Sequence, residues 1–253
     1  MAKRRVMHVR KYSASGNDFV IFHSLHVKDR SELARYLCDR HEGVGADGMI
    51  VILPHSECDF MWEFYNSDGS RPAMCGNGSR AAAHYAYTQG LAKQNMSFKT
   101  DAGVLNAFVD GEVVESQLTP FVKLKEPFIQ EGMQWYFWDT GVPHLVSFGE
   151  YNEEIARKMR YEYNANVNFC LWNKEALHVS TYERGVEGMT QACGTGMVAS
   201  FLSAKEQKNT LFSLDVIPPS GERLQVRIDE SNGIFLQGRV REVFSAEVFG
   251  ENA

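Results

Sequence analysis

Two stretches of this chain repeat one another, and the repeat constrains the fold more than any other feature. Met74-Cys-Gly-Asn-Gly-Ser-Arg-Ala-Ala-Ala83 aligns with Ala192-Cys-Gly-Thr-Gly-Met-Val-Ala-Ser-Phe201. Upstream, Tyr65 and Tyr182 each open a polar loop, 10 and 11 residues before the cysteine. Downstream, Gly103 lies 28 residues after Cys75 and Gly221 lies 28 after Cys193. Each of these glycines is followed by an alternating segment, Val104–Val109 and Arg223–Ile228. A match held over such a span points to two related halves. Each supplies a strand, a polar loop, a Cys-Gly-x-Gly turn, a buried helix and a further hairpin. The boundary falls near Thr119-Pro120, giving halves 1–119 and 120–253, with the last ten residues available to pack back on the first half.

Period-two apolar patterns predict strands over Asp18–Phe22, Gly48–Leu53, Phe60–Tyr65 and Met96–Thr100. Helices are fewer. One is predicted from Ser31, with Leu33, Tyr36 and Leu37 on its apolar face, stopping before Gly43, and another over Asn152–Arg160. Two more start after the paired glycines and run through small residues to about Gly90 and Gln207. Their alanines and serines suit buried, central positions.

Bulk properties narrow the partners. A length of 253 residues allows one large or two modest domains, each able to bury a core. A net charge of −6 argues against nucleic acid, because phosphate binding needs a dense basic field, and Lys3, Arg4 and Arg5 alone read as a solvated leader. The longest apolar run, Met49–Leu53, is too short to span a membrane, and no apolar segment follows the basic run as in a secretory signal. The expectation is a soluble, cytoplasmic protein acting on a small molecule, with homodimerisation left open. Five cysteines without framework spacing fit free thiols in a reducing compartment.

A cysteine placed just before Gly-x-Gly and the first helical turn lies beside unsatisfied N–H groups at the positive end of the helix dipole. Both features favour a thiolate. The same N–H groups can receive a carboxylate, and the glycines let that ligand approach the backbone. A thiolate base, a thiol acid and a carboxylate cradle are what inversion of an amino-acid α-carbon requires without pyridoxal phosphate: one sulfur removes the proton from one face and the other delivers a proton to the opposite face. Free cysteines are also common core residues, and for Cys38, Cys58 and Cys170 that is the reading. None of the cysteines forms Cys-x-x-Cys, so no zinc site is expected, and no cofactor is required.

Taken together, Gly16-Asn-Asp-Phe19, Arg40-His-Glu-Gly-Val-Gly-Ala-Asp-Gly48, Tyr65-Asn-Ser-Asp-Gly69, Met74-Cys-Gly-Asn-Gly78, Pro143-His144, Asn166, Tyr182-Glu-Arg-Gly185 and Ala192-Cys-Gly-Thr-Gly196 resemble diaminopimelate epimerase over almost the whole chain. The resemblance implies an α+β fold of two pseudo-symmetric, strand-rich, barrel-like halves, each around a central helix, with the site in the cleft between them. It implies interconversion of LL- and meso-diaminopimelate in lysine and peptidoglycan precursor synthesis. Carried over by position, Cys75 and Cys193 are the acid/base pair, and Gly76, Asn77, Gly194 and Thr195 hold the carboxylate and amine at the reacting centre. Asn17, Asn66, Asn166, Glu183 and Arg184 bind the distal amino-acid end, and His144 supports one thiol. The residue types agree: Arg184 can pair with a carboxylate bidentately, Glu183 can accept from an ammonium, and an asparagine can serve either. The alternatives for these residues are a strand-edge charge pair, turn asparagines and a structural histidine.

Two positions depart from the family pattern. Val142 stands where an asparagine usually precedes Pro-His, and Gly48 stands where many members carry glutamine. Both bear on individual binding contacts rather than on the chemistry. Rival functions are a racemase of another amino acid (histidine, proline or hydroxyproline type) on the same fold, a non-catalytic amino-acid-binding module, and a thiol-redox protein cycling Cys75 and Cys193. The proline-type relatives usually carry histidine after the first Cys-Gly, where this chain has Asn77.

Overall fold

The computed structural model describes residues 5–208 and 212–250. Lys3 and Arg4 of the basic run, and residues 251–253 of the C-terminal end, lie outside them. The chain divides into two compact units, residues 1–116 with 238–253, and residues 117–237.

In the first unit β1 (Arg5–Ala14), β2 (Asn17–His23), β3 (Gly48–Leu53), β4 (Phe60–Asn66), β5 (Asn95–Thr100), β6 (Gly103–Asp110) and β7 (Val113–Gln117) follow one another across the sheet in chain order. β2–β3 and β4–β5 are parallel and the other neighbours antiparallel. Parallel neighbours need a crossover. The helix α1 (Ser31–Cys38) makes the first and α2 (Gly76–Thr88) the second. The C-terminal strand, β16 (Ile234–Gly250), returns antiparallel to β1 and also neighbours β7, closing the ring.

The barrel closes on α2. Its residues Asn77–Ala86 are all buried, and Ala81, Ala82, Ala83 and Ala86 share one apolar cluster with side chains from every strand of the ring, among them Tyr12, Ile21, Ile50, Phe64, Phe98, Val109, Val114 and Val240. Alanine lets the strands come close to the helix on all sides without leaving voids. The outer face of β2 and β3 is covered by α1, where Leu33, Ala34 and Leu37 meet Val20, Phe22, Met49, Val51 and Leu53. Burial on both faces explains why Gly48–Leu53 reads as an unbroken apolar run.

The second unit repeats this plan. It contains β8 (Val122–Gln130), β9 (Met133–Asp139), β10 (Pro143–Phe148), α3 (Glu153–Tyr163), β11 (Asn166–Asn173), β12 (Ala176–Glu183), the short β13 (Gly188–Met189), α4 (Gly194–Gln207), β14 (Ser213–Ile217), β15 (Leu224–Ile228) and the start of β16. From β9 the pairings run antiparallel to β10, parallel to β11, antiparallel to β12, parallel to β14, antiparallel to β15 and antiparallel to β16. That is the order found from β1 to β7, with α3 in the place of α1 and α4 in the place of α2. The repeat seen around the two cysteines therefore extends through each entire unit. Among the described residues no helix is long and apolar enough to cross a membrane.

Helix ends lie close to expectation. α1 stops before Gly43 as expected, already at Cys38, because Asp39 turns extended (φ −60°, ψ 128°) and the following loop folds back, with the amides of Val44 and Gly45 on the Leu37 carbonyl. A Cβ at Gly43 would lie 2.0 Å from the Tyr36 carbonyl oxygen. Asn152 is the N-cap of α3 rather than its first residue; its Oδ1 accepts from the Ile155 amide at 3.0 Å.

A buried ion pair ties α1 to the sheet. Arg30, at the α1 N-cap, donates from Nη1 to Glu63 Oε2 at 2.5 Å, with both side chains at most 2% exposed. Arg30 Nη2 also reaches Ser24 Oγ and the His26 carbonyl. Removing one partner strands the other charge in the core, so Glu63→Ala is expected to cost about 3–5 kcal/mol. Urea unfolding of the variant checks this; a loss no larger than that of an exposed pair, under about 1 kcal/mol, would contradict it.

Candidate active site

Cys75 is the N-cap of α2, in extended conformation (φ −143°, ψ 117°), and its Sγ accepts from the Gly78 amide at 3.4 Å. Two of the predicted site residues stand with it. Asn77 Nδ2 donates to Asn17 Oδ1 at 2.8 Å and to the Ser15 carbonyl at 3.5 Å, and Arg80 Nη2 donates to Asn77 Oδ1 at 2.5 Å. Both hydrogens of the Asn77 amide are therefore used inside the barrel. What Gly76 and Asn77 can present to a ligand is backbone N–H. Asn66, opposite Gly48 at the end of β4, donates to Ser70 Oγ at 3.0 Å, and its backbone closes the Asn66–Ser70 turn. The structure gives it no hydrogen bond to Asn17 or Asn77.

In the second unit Cys193 is the N-cap of α4 (φ −130°, ψ 104°). Thr195 Oγ1 lies 3.5 Å from its Sγ and 2.9 Å from His144 Nε2. Hydrogen-bond logic sets the protons. The Leu145 carbonyl can only accept, so Asn168 turns its NH2 group toward it at 2.8 Å, and the same group donates to His144 Nδ1 at 3.1 Å. The ring proton is then on Nε2, which donates to Thr195 Oγ1. The threonine hydroxyl hydrogen is left for the Cys193 sulfur. His144 is fully buried, and desolvation pushes its pKa down to about 3, against the Asn168 hydrogen bond and with the nearby Arg184 cation. Burial thus favours its neutral form.

Asn166 pairs in parallel register with His144 and is buried. The Arg184 backbone N–H donates to its Oδ1 at 2.8 Å, which turns its NH2 toward the protonated His144 Nε2, 3.3 Å away, where no acceptor is offered. The Arg184 guanidinium donates to the Asn164 carbonyl at 3.0 Å, and among the described residues no carboxylate pairs with it. Glu183 is partly buried, and desolvation raises its pKa; its charge in turn acts on Cys193.

Each unit thus gathers a cysteine, the N-terminal amides of a central helix and a polar network. Asn168 and Thr181, joined at 2.8 Å, were missed in the sequence. Their signal was parity, since Asn168 shares a strand face with Asn166. The Gly48 departure has a packing cause: a Cβ there would lie 2.8 Å from both the Phe64 ring and the Tyr65 carbonyl oxygen. Val142 precedes His144 by two residues as Asn17 precedes Phe19, and the pairs His144–Asn166 and Phe19–Gly48 occupy matching register positions. Among the described residues, no group of three or more His, Cys, Asp or Glu side chains could hold a metal ion.

The thiols depart from the sequence expectation. The helix amides do favour the thiolate, but burial outweighs them. Burial raises the Cys75 pKa against the Gly78 and Asn77 amides and the Arg80 cation. For Cys193, burial and then the Glu183 charge push it to about 11, against the Thr195 hydroxyl and the Gly196 and Thr195 amides. Both shifts favour the protonated thiol. Alkylation of Cys193 by iodoacetamide should therefore rise about tenfold per pH unit from pH 7 to pH 10, following the thiolate fraction. Site-resolved mass spectrometry reads this, and a rate already level by pH 8 would contradict it.

The family model described as diaminopimelate epimerase matches residues 9–123. The chain is 54% identical over 250 residues to the diaminopimelate epimerase of a Nitratiruptor species, covering 97% of this chain and 99% of that one. It is 42% identical to the diaminopimelate epimerase of Helicobacter pylori, covering 92% and 93%. Among solved structures it is similar in fold to a PhzF-family phenazine biosynthesis protein of Bacillus anthracis (TM-score 0.72, 15% identity, 96% and 99% coverage). A hydroxyproline epimerase of Agrobacterium vitis with bound trans-4-hydroxy-L-proline is similar too (TM-score 0.70, 15% identity, 98% and 94% coverage).

Proposed function

The chain belongs to the diaminopimelate epimerase family, and on that premise we propose that Cys75 and Cys193 are the acid/base pair that inverts one α-carbon of 2,6-diaminopimelate. The observation that carries this reading is the duplication itself: each unit places one thiol at the N-cap of a buried helix, beside amides that can receive an anion.

One sulfur, as thiolate, takes the α-proton from one face. The other, as thiol, gives a proton to the opposite face, so the proton count balances and the two exchange roles in the reverse reaction. Negative charge passing from the α-carbon to the carboxylate is stabilised by the N–H groups at Gly76 and Asn77 and at Gly194 and Thr195. Burial favours the thiol form of both cysteines, so one releases its proton to solvent as substrate binds; the amides, the Thr195 hydroxyl and the substrate ammonium act in that direction. His144, kept neutral by burial and with its ring oriented by Asn168, positions Thr195. No metal or pyridoxal phosphate takes part.

The distal amino-acid end distinguishes diaminopimelate from a simpler amino acid. Arg184, which has no carboxylate partner among the described residues, receives the distal carboxylate; the Asn166 NH2 supports it; Glu183 accepts from the distal ammonium. Asn17 and Asn66 complete the contacts. The reaction serves lysine and peptidoglycan precursor synthesis in the cytoplasm.

Purified enzyme without added cofactor should epimerise LL-diaminopimelate, and Cys75→Ala and Cys193→Ala should each abolish this while keeping the wild-type circular dichroism. Arg184→Met should lose about 2–5 kcal/mol in kcat/KM, roughly thirty-fold to several-thousand-fold, as when one partner of a desolvated charge pair is truncated. Turnover by either cysteine variant would reject the acid/base pair, and an Arg184→Met enzyme within a few-fold of wild type would reject the distal assignment.

A further inference from the structure

The conspicuous segment Arg40–Gly48 contains no residue that the proposed chemistry uses directly. Its Asp47 ends a directional chain of side chains that begins in the barrel. Asp47 Oδ2 accepts from Asn17 Nδ2 at 3.0 Å, Asn17 Oδ1 accepts from Asn77 Nδ2 at 2.8 Å, and Asn77 Oδ1 accepts from Arg80 Nη2 at 2.5 Å. A primary amide can flip, exchanging its donor and acceptor ends, at little cost when its neighbours can both donate and accept. Here the ends are not interchangeable. A carboxylate only accepts and a guanidinium only donates. With Asp47 at one end and Arg80 at the other, each of the two asparagines has one permitted orientation, and turning either over sets donor against donor or acceptor against acceptor.

Both ends are themselves anchored. The other oxygen of Asp47 takes Arg40 Nη2 at 2.8 Å, and its Oδ2 also accepts from the Asp18 amide at 3.2 Å. Asp18 holds Arg40 through both oxygens at 3.0 Å, takes Lys11 Nζ at 2.7 Å and accepts from the Asp47 amide at 2.8 Å. Arg80 is fully buried in α2 and also donates to Ser15 Oγ at 2.8 Å.

We propose that Asp47 and Arg80 are positioning residues that lock the polarity of the Asn17–Asn77 amide pair beside Cys75. The lock has a chemical consequence. Asn17 spends one N–H on Asp47 and accepts from Asn77, so its second N–H is the group it can offer a ligand, which makes it a donor to a carboxylate. Asn77, with both N–H groups used, holds the α2 N-terminus in place through its side chain and offers only backbone. The inference rests on the reading of Cys75 and Asn17 as parts of an epimerase site, and wild-type turnover of LL-diaminopimelate tests that reading separately.

If Asp47 acts through Asn17, the two positions are coupled. Asp47→Asn, which can donate as well as accept, should lower kcat/KM for LL-diaminopimelate roughly ten- to a hundred-fold, the loss expected for a hydrogen bond to a charged group. In an Asn17→Ala background the same substitution should change kcat/KM by less than about threefold. The far end supplies a second arm: Arg80→Lys, which still only donates, should keep most of the activity, whereas Arg80→Gln, which can present either end, should lose it. Thermal unfolding confirms that the compared variants are folded, and either arm alone decides if a variant of the other fails to fold. An Asp47→Asn loss of equal size in both backgrounds, no loss in either, or Arg80→Lys and Arg80→Gln equally impaired would overturn the lock. Absence of turnover by the wild type would instead reject the epimerase reading.

Discussion

The first turn of each central helix is packed against its own N-capping cysteine, and the site in each unit is built on that contact. A Cβ at Gly78 would lie 3.3 Å from Cys75 Cβ and 3.4 Å from Ile50 Cδ1; at Gly196 it would lie 3.4 Å from Cys193 Cβ and 2.4 Å from Asn168 Oδ1. The second glycine of each Cys-Gly-x-Gly turn is thus the point where thiol, helix and barrel wall meet. At Gly196 a side chain would clash with Asn168, and at Gly78 it would press tightly on Cys75 and Ile50. Helix burial, carboxylate-ready amides and thiol position follow from one steric condition, satisfied twice.

That arrangement sets two electrostatic tendencies against each other. Amides at a helix N-terminus favour an anion at the sulfur, while removal from water favours the neutral thiol. In both units burial prevails. A protonated resting pair suits an enzyme whose thiols would otherwise be open to oxidation, since the thiolate is the reactive form. The polar networks behind the two sulfurs differ despite the shared fold: the first unit uses a charged chain ending at Asp47 and Arg80, the second a neutral one running from Asn168 through His144 to Thr195. Val142, which stands where the first unit has Asn17, is one reason the second unit cannot build the first unit's network.

Much of this was legible in the residues. The duplicated cysteine turns identified the two central helices, and Gly48–Leu53 was legible as a strand, though not that it is buried on both faces. The strands β8 and β16 were harder to see, because Lys123, Lys125 and Glu126 or Arg239, Arg241 and Glu242 interrupt the apolar rhythm where one face is exposed. The stop of α1 before Gly43 was legible, but not that the chain turns four residues ahead of that glycine to bring backbone amides onto Leu37. The resemblance placed Asn77 at the reacting centre without saying which of its groups a ligand meets. Only tertiary structure showed both of its amide hydrogens already spent. The direction of the thiol shifts was likewise out of reach, because local sequence encodes the helix amides and not the depth at which the sulfur lies.

The central claim is that two separate sulfurs serve the two faces of one carbon. Epimerisation of LL-diaminopimelate in deuterium oxide, stopped early and read by mass spectrometry of both isomers, tests it most directly. The account predicts one deuterium at the inverted α-carbon of the meso product and almost none in the recovered LL substrate, because the acid that delivers to the product has exchanged with solvent while the base returns mostly the proton it took. Deuterium appearing equally in substrate and product, or a product that retains the original proton, would show a single group acting on both faces and would contradict it.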